Sequence, residues 1–267
     1  MALNNPAFSR DAAFSSRGGI AVANQVSNQQ LNDMYNQESA PASGDVMTVE
    51  DTIAKTVGAF ALLVVGAGLS WMLVPAFPLL WIGAGLIGFV LALVNIFKKQ
   101  PSGALVLTYA AFEGLFVGGI SRVFENAYGG VVSQAVIATV VVVGVTLALF
   151  ASGKIRASKK ATKVFMIAMI GYVVFSLVNF VMMITGATDN AFGLRSAEIF
   201  GIPFGLILGV LVVIMAAYSL VLDFDFIQRG ANNRAPRAFG WKGAFGIMVT
   251  VIWLYLELLR MFALTRD

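Results

Sequence analysis

The stretch VVSQAVIATVVVVGVTLALF, Val131–Phe150, decides the fold class. It carries no charge, and a helix of this length rises about 30 Å, the thickness of a bilayer's hydrocarbon core. A helix on the surface of a soluble bundle would carry a polar stripe with a 3.6-residue period, and none runs through this segment. The stretch IPFGLILGVLVVIMAAYSLVL, Ile202–Leu222, repeats the pattern. Outward from these two, seven candidate spans appear, near 53–73, 78–97, 103–124, 130–151, 162–184, 199–223 and 241–262. Alternating ten-residue strands, the signature of a membrane barrel, are absent, and helices satisfy their own backbone in lipid. The sequence therefore predicts an all-α integral membrane protein with seven transmembrane helices.

Composition agrees. Of 267 residues, 58% are hydrophobic and 12% charged, where a soluble domain averages about 45–50% and about 25%. Cysteine and histidine are both missing, which removes disulfides, thiolate and imidazole metal sites, His-based triads and the usual switch near neutral pH. No HExxH, phosphate-binding loop or nucleophile elbow occurs, and Ser152-Gly153-Lys154 lacks the glycine spacing of a phosphate-binding loop. The chain is expected not to be an enzyme and to need no cofactor. A pI near 9.4 does not predict a nucleic-acid partner, because the cations lie in short clusters between apolar runs, the pattern of membrane topology.

Residues 1–51 form a polar segment with ten Asn and Gln and two arginines against six acids. It buries too little to offset its ordering entropy, so a disordered tail is expected, with residues 52–267 forming the membrane domain. With the N-terminus inside, 14 of the 18 Lys and Arg fall on the inner side. The positive-inside rule then predicts a cytoplasmic N-terminus and an external C-terminus. Trp71 and Trp81 at one face and Trp241 at the other suit interfacial anchors. Gly114 with Gly118, and Gly201, Gly205 and Gly209 in series, form GxxxG faces. Such faces serve packing within the bundle or a homo-oligomer. Pro203 is placed to kink the sixth helix.

Intramembrane acids are costly and therefore functional candidates. Glu113, Asp223, Asp225 and Glu257 qualify, with Asn95 and Asn179 as lesser candidates expected to bond between helices. Counted from Lys99 and Lys242, Glu113 and Glu257 lie about 21–22 Å deep, while Asp223 lies only about 9 Å from Arg229. Arg260 follows Glu257 by three residues and Arg229 follows Asp225 by four, spacings that allow pairs on one helix. Glu113 has no such cation and needs a partner elsewhere or a proton. Asp223 and Asp225, two apart, point to nearly opposite sides. No metal-ligand set can be assigned.

The segment LDFDFI, Leu222–Ile227, the final-helix LYLE, Leu254–Glu257, and ALVLTYAAFEGLFVGGIS, Ala104–Ser121, together resemble the Bax inhibitor 1 (transmembrane Bax inhibitor motif) family over roughly residues 50–265. The resemblance is closest to a bacterial branch with a long polar tail, which implies a bacterial plasma membrane as the setting. It implies a buried helix ringed by six others and a pH-sensitive calcium leak. In characterised relatives an acid from helix 6 and one from helix 7 share a proton and gate the path. Some bacterial relatives also bind a membrane-bound AAA protease. Asp223 matches the helix 6 aspartate, with Ile227 four residues on. The helix 7 position falls on Glu257 in one register and on Thr250 in the other, and depth favours Thr250.

Two functions follow as expectations. One is a cation leak channel, calcium the favoured ion, gated by protonation of intramembrane carboxylates and serving a stress response. The other is a regulator that transports nothing and binds membrane proteins, a protease among them.

Overall fold

The computed structural model describes residues 46–188 and 190–266; the expected tail lies, up to residue 45, outside the described residues. Seven helices, each long and apolar enough to cross a membrane, make a multi-pass membrane protein. They are α1 (Val49–Leu73), α2 (Leu80–Phe97), α3 (Gly103–Tyr128), α4 (Val131–Ala151), α5 (Lys159–Ile184), α6 (Phe204–Asn232) and α7 (Phe239–Leu264). Their outward faces carry large apolar side chains such as Leu86, Phe89, Val140, Ile170 and Ile214, each at least 61% exposed. Water would penalise that belt, and hydrocarbon does not.

Helix α7 is the central element. Of its apolar window 56% is buried, against 11% for α2 and for α5. Its Met248, Leu254 and Leu259 are almost fully enclosed among residues of α1, α3 and α4. The resemblance implied a buried helix ringed by the other six; the structure packs α7 chiefly against α1, α3, α4 and α6, while α2 packs on α3.

Several boundaries and roles differ from the sequence reading. Helix α1 starts at Val49, where Thr48 caps it by accepting from the Asp51 N–H, and Glu50 and Asp51 suit the positive helix end. Ahead of α1, Val46 forms an antiparallel bridge with Pro236, and Met47, through its buried side chain and its N–H to the Ala235 carbonyl (2.7 Å), is tied to the loop before α7. Hydropathy placed this polar first turn in the tail. Helix α6 begins at Phe204 and runs on to Asn232. Pro203 closes a two-residue strand ahead of it and causes no kink, because its fixed φ sits outside the helix. The strands Glu198–Ile199 and Ile202–Pro203 pair across Phe200 and Gly201, both at positive φ as a type I′ turn requires. Gly201 therefore belongs to a hairpin and not to a helical GxxxG. Trp81 and Trp241 are also not simple interfacial anchors: they lie against Gly119 and Gly103 of α3, while Trp71 stacks under Arg122.

The remaining GxxxG glycines face inward. A Cβ on Gly114 or Gly118 would meet the backbone of Leu63 or Ala67 in α1 at 2.3 or 2.1 Å. Gly205 and Gly209 face Leu264 and Met261 of α7. These faces pack within the chain. Gly118→Ala is expected to destabilise the detergent-solubilised protein by about 1–3 kcal/mol, because the obstacle is backbone and must shift. Gly144→Ala, which meets nothing within 4 Å, should leave the thermal midpoint unchanged or raise it. Equal midpoints for both variants would refute the close α1–α3 contact.

Candidate functional site

Two polar centres lie in the bundle, at different levels of α7. The first is near the end that holds the α1 N-terminus and the basic loops. Thr250 on α7 donates through Oγ1 to Asp223 Oδ2 on α6 at 2.7 Å. Ser219, one turn earlier on α6, lies 3.2 Å from the same Thr250 oxygen. Gly246 makes the space, since a Cβ there would stand 2.7 Å from Asp223 Oδ1. Among the described residues Asp223 has no ion pair. A half-buried carboxylate held by one hydroxyl and no countercharge is a place where a proton or a cation can supply the missing charge.

Asp225 points elsewhere, as the two-residue spacing requires. It pairs with Arg229 Nε at 2.8 Å on its own helix and lines a groove with Lys159 and Lys163 of α5. Nearby, Asp51 is held by Lys55 and by Arg237 NH2 (2.6 Å), locking α1 to the loop before α7. Glu113 sits midway along α3 with its Oε2 against Gly88 of α2. It makes no hydrogen bond or ion pair within the described residues, so no helix supplies the partner that the sequence called for.

The second centre surrounds Glu257, which is 2% exposed. Its Oε1 accepts from Arg195 NH1 at 2.7 Å. Its Oε2 accepts from Arg260 NH1 at 2.6 Å and from the Tyr172 hydroxyl at 2.8 Å. Arg195 also reaches the Tyr172 hydroxyl at 3.3 Å. Burial opposes the charge on Arg195, but the Glu257 carboxylate outweighs it and lifts the guanidinium pKa above its ordinary value. Asn179 of α5 builds the turn that delivers this arginine. It accepts from the Leu194 N–H at 2.7 Å and donates to the Phe192 carbonyl at 3.3 Å. Asn179 thus anchors a loop and does not bridge helices. Asn95 does bridge them, donating to the Leu105 carbonyl of α3 at 3.4 Å.

The structure therefore does not bring Asp223 and Glu257 together. Thr250 stands opposite Asp223, and Glu257 lies seven residues on, about 10 Å along the helix. The i,i+3 pair with Arg260 forms as its spacing allows. Arg195, Tyr172 and Ser219 were not singled out by sequence reasoning. Arg195 was only one loop cation, and the signal that could have raised it is the depth of Glu257, which calls for more than one partly exposed arginine. Among the described residues, no three His, Cys, Asp or Glu side chains gather into a metal-binding group.

A family model described as Bax inhibitor 1 like matches residues 5–267. Comparison with curated proteins gave no match.

Proposed function

We propose that this chain, which belongs to the Bax inhibitor 1-like family of membrane proteins, is a cation leak pathway controlled by one intramembrane carboxylate, Asp223, with calcium as the favoured cargo. The observation that carries the reading is Asp223 itself: half-buried and, among the described residues, bonded only to Thr250 and without a cation. The groups shown against it are neutral, Thr250 and Gly246 on α7, and Ser219 on its own helix meets the same Thr250 hydroxyl. Asp225 is already paired with Arg229, and Lys159 and Lys163 line the groove on that other side. Lys242 precedes Thr250 by eight residues on α7.

A proton and a permeating cation compete for the same carboxylate, which makes the leak pH-sensitive without histidine. The Thr250 hydroxyl ties α6 to α7 at this level while Asp223 is ionised, and either event replaces that bond. Glu257 has no part in this gate, because two guanidiniums hold it. The charge distribution along the sequence supports the basic end as the cytoplasmic end, and the resemblance to a bacterial branch supports a bacterial plasma membrane as the setting.

Calcium flux into proteoliposomes between about pH 6 and about pH 8 tests the reading. The wild type is expected to leak at rates that differ across this range, and Asp223→Asn to leak at one rate throughout. A folded wild type that leaks at neither pH, or an Asp223→Asn variant with the wild-type pH response, would overturn it. Absence of any leak would favour the regulator that captures membrane proteins.

A further inference from the structure

A cavity of about 490 Å³ opens between α5, α7 and the segment around Phe192. Its walls are apolar, with Phe180, Met183, Phe192 and Trp253, and two arginines, Arg195 and Arg260, reach into it. Helix α5 seats loosely beside it: of that helix's residues only Asn179 is buried, and Phe180 is 58% exposed on the apolar belt. The cavity can therefore be entered sideways, from hydrocarbon.

Its charge is unbalanced. One carboxylate, Glu257, serves both guanidiniums, and Tyr172 adds a hydrogen bond without charge. No second acid pairs with either arginine among the described residues. Arg260 spends NH1 on Glu257, and its other donors make no hydrogen bond within the described residues. A surplus positive charge among aromatic and thioether walls is costly unless an anion joins it. A guanidinium fork matches a phosphate group.

We propose that this cavity binds an anionic phospholipid, its headgroup phosphate on Arg260 and the Arg195–Glu257 pair, its acyl chain along Phe180 and Met183. The lipid enters from the leaflet at the end opposite the basic loops. The site is separate from Asp223 and independent of the leak proposed above.

Native mass spectrometry of the full chain in detergent, titrated with dioleoyl phosphatidylglycerol, tests this. One lipid is expected to bind more tightly than the rest, and more tightly than dioleoyl phosphatidylcholine. Arg260→Gln should weaken that lipid about tenfold, the size of one lost charge-assisted hydrogen bond, and Arg260→Lys should restore part of it. Ser176→Glu, which sets an internal anion beside Arg195, whose NH2 lies 3.5 Å from Ser176 Oγ, should abolish the tight site by a second route. Equal binding of the zwitterionic lipid, displacement by an equal concentration of inorganic phosphate, or full binding in folded Arg260→Gln and Ser176→Glu would each overturn the proposal.

Discussion

Glu257→Ala is expected to destabilise the protein by about 3–5 kcal/mol, more than any other single charge removal in the bundle. The reason is what remains. Arg195 is 4% exposed, and without the carboxylate its guanidinium keeps only long hydrogen bonds, at 3.3 Å to Tyr172 and 3.5 Å to Ser176, and ring contacts with Tyr172 and Phe175, none of which carries a countercharge. A buried cation that has lost its partner suffers the full desolvation penalty with no Coulombic return. Glu257→Gln keeps the volume and still fails, since a neutral amide between two guanidiniums leaves two like charges unshielded. Arg260→Gln should be mild by contrast, because Arg260 is partly exposed and Arg195 still neutralises Glu257. Thermal unfolding in detergent reads the series directly. The expected order is a large drop for Glu257→Ala and Glu257→Gln and a small one for Arg260→Gln. A Glu257→Gln variant that melts like the wild type, yet loses the pH response of the leak, would return Glu257 to the gating role that one sequence register offered it.

The sequence carried the fold because hydrocarbon is an unforgiving solvent. Val131–Phe150 has only one arrangement that satisfies its backbone in lipid, so hydropathy alone located α4 almost to the residue. Helix ends were less legible, since they depend on caps and turns that hydropathy averages away. Thr48 and the first acidic turn of α1 looked like tail. The Phe200–Gly201 turn looked like the start of α6. The acids were legible as candidates for the same reason that the helices were: each stands out against apolar neighbours. Their partners were not. Arg260 and Arg229 lie within one helical turn of Glu257 and Asp225, and spacing found both. Arg195 lies 62 residues from Glu257 and Thr250 lies 27 from Asp223. Only the packing of α6, α7 and the loop before α6 brings these together. Depth counted from Lys242 came nearest, because it set Thr250 level with Asp223 and Glu257 well beyond.

Thr250→Asp is expected to change cation handling most. In the wild type the proposed path offers one carboxylate at this level, steadied by a hydroxyl at 2.7 Å. Calcium prefers several oxygen ligands with more than one negative charge among them, and its affinity rises with the number of charged ligands. An aspartate in place of Thr250 would set a second carboxylate beside the first, where Gly246 carries no Cβ to crowd Asp223 Oδ1. The calcium concentration giving half-maximal flux should fall about tenfold or more, because tighter sites fill at lower concentration. Maximal flux should fall with it, since an ion held by two carboxylates leaves more slowly than one held by one. The two charges must also share a proton when no ion is bound, so calcium and protons should compete more strongly than in the wild type. Adding Asp223→Asn to Thr250→Asp returns the site to one carboxylate and should bring both values back toward the wild type. A Thr250→Asp protein with unchanged calcium dependence and unchanged proton competition would place the ion path somewhere other than the α6–α7 contact.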